Sequence, residues 1–235
     1  MNDLYNVAVL IPAAGRGARM GGRTKQFRLL GGTPILLRTL GVFENHPMID
    51  SVVVAVRPED VEGMADTLRN HGIRKTLDVV PGGKSRQESV AAAFAVLSEA
   101  VDIVLVHDAV RPFLPHDRVS AIIEAVREHG AAALAVPLTD TLRRGDGEIF
   151  GPTVDRSRLY RMQTPQGFRR DWFEEAHRTA RVEGYSETDD VALVQRMGHT
   201  VRIVEGTSTN IKITTPSDWV LAQALWDSIR AEMAS

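Results

Sequence analysis

The 235-residue chain contains no cysteine. That absence excludes a disulfide framework, a thiolate nucleophile and any Cys-ligated zinc or iron-sulfur centre. An excess of one charge sign is missing too. With 28 Lys and Arg against 30 Asp and Glu, the formal net charge is −2, so no global field draws in nucleic acid or anionic lipid and anion recognition must be local. Long apolar runs are also absent. The first run, residues 7–11, stops at Pro12, too short to span a bilayer, and Asp3 stands where a secretory leader would carry Lys or Arg. A cytoplasmic protein without nucleic-acid or membrane partners is expected. What remains, 43% apolar and 25% charged, is ordinary globular composition, long enough for one domain with a sizeable core.

Short β-branched runs alternate with stretches of helical period. Residues 7–11, 52–56, 77–80, 103–106 and 133–136 are nearly continuous apolar runs, as strands covered on both faces should be. Between them, residues 34–46, 59–71, 85–100 and 116–129 are each long enough for a crossover helix. The order implies an α/β sandwich of three layers around a mostly parallel sheet. Residues 138–163 break the rhythm: a Gly145-Asp146-Gly147 turn lies between polar segments with little to bury, which reads as a projecting hairpin arm. Such an arm packs on a partner, making a homodimer, or stays a loose surface hairpin. Helices are expected at 170–182, at 188–197 with Thr188 as N-cap, and at 216–233 with Thr215 as cap; strands are expected at 201–204 and 211–213. The whole, residues 1–235, reads as a single domain plus the arm.

Chemistry concentrates in loops after strands. The first reads Pro12-Ala-Ala-Gly15-Arg-Gly17-Ala-Arg19-Met20-Gly21-Gly22-Arg23-Thr24-Lys25-Gln26. A dinucleotide fingerprint fails because Met20 replaces its third glycine, and a phosphate loop of the nucleoside triphosphatase type fails because Arg23 stands where Lys belongs and no helix follows at once. The loop fits the pattern of nucleotidyltransferases that join a sugar phosphate to a nucleoside triphosphate. In-line attack at an α-phosphorus needs cations on the developing charge, and Arg19 and Lys25 can supply them.

Further along, residues 81–90 form a Gly82-Gly83 turn feeding a helix, whose Ser85 and Ser89 either cap the helix or help read a base. Asp108 and Arg111 end the fourth strand, free to bind sugar hydroxyls, a triphosphate-borne Mg²⁺ or a second anion, and equally able to pair with each other. His107 reads as a packed, hydrogen-bonded histidine and receives no chemistry. Lys212 alternates with Ile211 and Ile213, as an edge-strand lysine does.

Taken together, Pro12-Ala-Ala-Gly-x-Gly-x-Arg-Met, Lys25-Gln, Gly82-Gly-x-x-Arg-Gln-x-Ser-Val, His107-Asp-Ala-x-Arg-Pro, Pro137-x-x-Asp-Thr, Thr153-Val-Asp-Arg, Thr164-Pro-Gln, Thr188-Asp and Asn210-Ile-Lys are similar, in order and spacing, to the 2-C-methyl-D-erythritol 4-phosphate cytidylyltransferase family. The resemblance implies a Rossmann-like nucleotidyltransferase fold with a projecting β-arm for dimerisation. It also implies Mg²⁺-dependent CMP transfer from CTP to methylerythritol phosphate in non-mevalonate isoprenoid synthesis. By position, Arg19, Lys25 and Lys212 would stabilise the pentacoordinate phosphate, and Ala13, Ala14, Gly15, Gly83 and Ser89 would hold the cytidine. Asp108 and Arg111 would bind the methylerythritol, Thr164 and Thr188 would line the sugar-phosphate side, and Thr141 and Arg156 would reach into the partner subunit's site. A resident protein-ligated metal is not expected. Two other readings remain: a cytidylyltransferase acting on ribitol 5-phosphate, and a catalytically silent nucleotide-binding dimer.

Overall fold

A computed structural model describes residues 5–15 and 25–234. In chain order, β1 (Val7–Pro12) is followed by the small hairpin β2 (Leu29–Leu30) and β3 (Thr33–Pro34), then α1 (Ile35–Glu44), β4 (Ser51–Val56), α2 (Val61–Asn70), β5 (Thr76–Pro81), α3 (Arg86–Phe94), β6 (Ile103–Val106) and α4 (His116–His129). The second half holds β7 (Ala131–Pro137), the hairpin β8 (Leu142–Asp146) and β9 (Ile149–Val154), β10 (Tyr160–Arg169), α5 (Arg170–Glu183), α6 (Asp190–Arg196), β11 (Arg202–Glu205) and α7 (Pro216–Ala234). Seven strands form one sheet in the order β11-β7-β10-β6-β1-β4-β5, and β10 alone runs antiparallel to its neighbours.

The three layers follow from side-chain alternation. Along β1, Val7, Val9 and Ile11 face a core built with α1, α2 and α4, while Ala8 and Leu10 face a second core built with α3, α5 and α6. All five of these side chains are fully buried, so no polar residue fits there. A smaller third cluster joins Leu30, Val110, Phe113 and Ile213 to α7. The turn between β2 and β3 requires glycine at Gly31, where φ is +54° and any Cβ would run into the Trp226 ring.

The mostly parallel sandwich is as the apolar runs imply, and four local expectations are corrected. First, α3 ends at Phe94 rather than near residue 100, because the Ser98 hydroxyl takes the Ala100 N–H into a turn and Leu97 and Val101 reach the core from there. Second, residues 160–163 belong not to the arm but to β10, in the middle of the main sheet. Third, α6 is capped by Asp189, whose carboxylate accepts the Ala192 N–H, and not by Thr188. Fourth, residues 211–213 form no strand. There the Ile213 N–H donates to the Val110 carbonyl and its side chain is buried against α7, so an edge-strand role for Lys212 falls away. Hairpin β8–β9 pairs within itself, around Gly147, and leaves Ile149 75% and Phe150 81% exposed.

Candidate active site

Open α/β sheets bind ligands beyond the carboxyl ends of their strands, where the winding reverses. Here the chain leaves β1 for β4 and β5 on one side, then returns to β6 on the other, and a cavity of about 680 Å³ opens above these four strands. After β1, the Ala13 N–H donates to the Ala55 carbonyl at 2.7 Å and Gln26 Nε2 donates to the Ala13 carbonyl at 2.6 Å. These bonds pin Ala13, Ala14 and Gly15 in one wall and bring Lys25 to the cavity. Arg19 lies outside the described residues.

The opposite wall is the turn after β5. The Gly82 N–H donates to the Val56 carbonyl at 2.6 Å, and a Cβ on Gly82 would stand 2.6 Å from the Ala14 Cβ, so glycine lets the two loops meet. The Ser89 hydroxyl accepts the Gly83 N–H at 3.1 Å and donates to the Ser85 carbonyl at 2.9 Å. Ser85 caps α3 by accepting the Glu88 N–H. Capping and cavity-lining therefore coexist in this turn.

Strand β6 delivers His107 and Asp108. His107 is fully buried, with Nε2 3.1 Å from the Arg111 carbonyl, so Nε2 carries the proton; Nδ1 then accepts from the Thr164 hydroxyl at 3.0 Å, and that oxygen accepts the Asp108 N–H at 3.0 Å. Burial pushes the imidazole down to about 4, which keeps it neutral. It acts as a structural bridge, as its sequence context suggests.

Asp108 carries the electrostatics. Its Oδ2 lies 3.1 Å from Lys212 Nζ and 2.9 Å from Arg111 Nε, and its Oδ1 lies 3.8 Å from Arg86 Nε. Burial alone would raise its pKa, but Lys212, Arg111 and Arg86 outweigh burial and hold the carboxyl well below the usual range. Lys212 is thereby steered to the cavity, while Ile213 anchors its segment in the core.

Of the other residues singled out from sequence, Arg111 and Thr164 are buried behind Asp108 rather than lining the cavity, Arg111 donating to the Asn210 carbonyl at 2.7 Å. Thr141, Arg156 and Thr188 are exposed and lie off the cavity of this chain, with Arg156 Nη1 donating to the Thr139 carbonyl. Arg86 lines the cavity but receives no role from sequence reading. The available signal was a cation in the first turn of α3, three residues after Gly83. Lys84 lines the cavity as well.

Lys25, Lys212 and Arg86 thus present positive charge to a cavity that His107 does not line, its two ring nitrogens being fully engaged beneath it. Such a site suits a reaction whose nucleophile is already an anion and whose charge builds on phosphate oxygens. Among the described residues, no three His, Asp or Glu side chains converge to hold a metal ion, and no helix is long and apolar enough to cross a membrane.

The family model for "IspD: 2-C-methyl-D-erythritol 4-phosphate cytidylyltransferase" matches residues 7–228. A 2-C-methyl-D-erythritol 4-phosphate cytidylyltransferase of Salinibacter ruber is 54% identical over 224 residues, covering 95% of this chain and 94% of its own. The enzyme of the same name from Bacillus velezensis is 41% identical, covering 92% and 94%. Among solved structures, 4-diphosphocytidyl-2C-methyl-D-erythritol synthase from Anaerococcus prevotii superposes with a TM-score of 0.83 at 28% identity, over 96% of this chain and 100% of that one. The 2-C-methyl-D-erythritol 4-phosphate cytidylyltransferase of Thermus thermophilus gives 0.79 at 39% identity, over 94% and 98%. The chain therefore belongs to the 2-C-methyl-D-erythritol 4-phosphate cytidylyltransferase family.

Proposed function

We propose that the chain transfers CMP from CTP to 2-C-methyl-D-erythritol 4-phosphate, giving 4-diphosphocytidyl-2-C-methylerythritol and pyrophosphate, in isoprenoid precursor synthesis. The observation that carries this reading is the Asp108–Lys212 pair in a cavity that Lys25 also lines. A phosphate oxygen of the methylerythritol ester attacks the α-phosphorus in line, the new P–O bond forming as the bond to the bridging oxygen of the pyrophosphate breaks. No proton is removed, because the nucleophile is already ionised. Arg19, Lys25 and Lys212 stabilise the equatorial charge and the departing pyrophosphate, and positioning supplies the rest.

The cytidine is held by Ala13, Ala14, Gly15, Gly83 and Ser89. Asp108 faces the polyol hydroxyls, with Arg111 and Thr164 fixing its carboxylate and backbone from behind, and Thr188 lies toward the sugar-phosphate side. Mg²⁺ carried by the triphosphate, a mode that needs few protein ligands, would neutralise pyrophosphate charge. We assign the chain to the cytoplasm. We further assign it to a homodimer in which hairpin β8–β9 seats Ile149 and Phe150 on the partner and carries Thr141 and Arg156 toward the partner's cavity. The exposure of those two apolar side chains supports this assembly. A monomer by light scattering at micromolar concentration would refute it.

The reaction is tested by pyrophosphate release from the purified chain with CTP and Mg²⁺, offering methylerythritol phosphate and ribitol 5-phosphate in parallel. Turnover with the first alone supports the reading. Turnover with the second alone moves the chain to ribitol phosphate, and CTP binding without turnover on either would make it a silent nucleotide binder.

A further inference from the structure

Behind the cavity lies a polar cluster that the chemistry above does not use. Asp190, the first residue of α6, is 1% exposed, yet its carboxylate is fully engaged: Oδ2 lies 2.6 Å from Arg86 Nη1 and Oδ1 lies 3.0 Å from His177 Nε2. Its N–H donates to Gln166 Oε1 at 3.1 Å, and Gln166 Nε2 donates to the capping carboxylate of Asp189 at 3.0 Å. His177, on α5, is itself 8% exposed, its ring 4.3 Å from that of Phe173. Elements β10, α3, α5 and α6 therefore meet at one buried carboxylate.

A buried ion pair of this kind is no better for stability than apolar residues of the same volume. What it supplies is orientation. Arg86 is the member of the cluster that reaches the cavity, with its side chain 26% exposed and its Nε 3.8 Å from Asp108. Left to itself, an arginine at the first turn of a helix samples many rotamers. Bonding to a carboxylate that His177 holds from the other side, on a residue whose backbone N–H donates to Gln166, restricts that freedom.

We propose that Asp190 and His177 are positioning residues that fix the Arg86 guanidinium as a preset anion-binding cation at the Asp108 end of the cavity, where it receives the phosphate ester. The proposal rests on the transfer reaction given above. Burial by itself would disfavour the charge of both partners, but Asp190 pushes Arg86 above its ordinary pKa and Arg86 pushes Asp190 below its own, so the pair stays ionised. The histidine contributes one N–H donor at a fixed point.

That geometry gives a discriminating experiment. Asp190→Asn, His177→Leu and His177→Gln are compared with the parent for folding by circular dichroism and thermal melting, for KM and kcat with each substrate, and for methylerythritol phosphate affinity by calorimetry. Asp190→Asn and His177→Leu should fold, raise KM and Kd for methylerythritol phosphate about tenfold, and leave KM for CTP within about twofold. His177→Gln, which can keep a donor near the Nε2 position, should restore the parent values. Unchanged ester KM and Kd in folded Asp190→Asn, or equal losses for both substrates, would overturn the positioning role. If His177→Leu fails to fold, Asp190→Asn and the His177→Gln rescue decide the matter. A parent that binds the ester without turnover would refute the reaction while the Kd values still score the relay, and a parent that neither binds nor turns over would overturn both.

Discussion

Strands β6 and β10 lie side by side in the sheet and are made of opposite materials. Strand β6 is Ile103-Val-Leu-Val106, every side chain at 0% exposure. Strand β10 buries Gln163, Thr164 and Gln166 at nearly the same depth, and each is hydrogen-bonded to a different loop. Gln163 donates to the Thr207 carbonyl, Thr164 holds the Asp108 N–H, and Gln166 holds the start of α6. The apolar strand thus stabilises the fold, whereas the polar strand fixes the loops around the cavity. Buried polar groups are tolerated only when satisfied, so β10 should be far more sensitive to loss of a partner than to loss of volume.

The largest effect on stability should come from β6. Leu105→Ala is expected to cost about 2–5 kcal/mol, read by urea denaturation, while the folded fraction keeps its KM values. The largest effect on turnover should come from Lys212→Ala, whose cation answers to the Asp108 that β6 delivers. We expect loss of about 3 kcal/mol of transition-state stabilisation with the fold intact, measured as kcat/KM, and parental turnover would remove Lys212 from the chemistry.

The bridge between the two strands carries a pH signature. His107 protonates at about 4 when folded but near its ordinary 6.5 when unfolded, so the unfolded chain binds more protons between these values. The stability it contributes is complete above pH 6.5 and is lost as pH falls toward 4, by on the order of 3 kcal/mol. His46, also lowered by burial, acts in the same direction. Urea midpoints at about pH 7.5 and about pH 4.5 should differ accordingly in the parent, and His107→Gln should flatten the difference. The smallest change should be Thr164→Val, which keeps the shape but leaves the Asp108 N–H and His107 Nδ1 unpaired, costing about 1–3 kcal/mol. An unaffected Thr164→Val would mean that β10's polar groups are incidental.

The same contrast explains which parts of the molecule were legible in the sequence. Apolar strands such as β1, β4 and β6 announce themselves through unbroken apolar runs rich in β-branched residues, and the glycine turns after β1 and β5 mark the cavity walls. Strand β10 does not, because Pro165 and three polar residues argue against a central strand. The structure accommodates them by a register break: Met162 pairs with Ala135 and Gln166 with Ala133, so residues 163–165 stand outside the regular ladder. Residues 211–213 alternate like a strand but take their order from the Val110 carbonyl and the α7 core. Arg86 was hidden for a related reason, since its partner Asp190 lies 104 residues further along the chain. Local spacing cannot report such a pairing.

Everything above converges on a cavity that joins CMP to a polyol phosphate. That transfer is tested most directly by ³¹P NMR of the purified chain with CTP, Mg²⁺ and 2-C-methyl-D-erythritol 4-phosphate. The triphosphate and phosphomonoester resonances should decay together as a diphosphodiester pair and pyrophosphate grow in. A spectrum in which the phosphomonoester persists unchanged would contradict it.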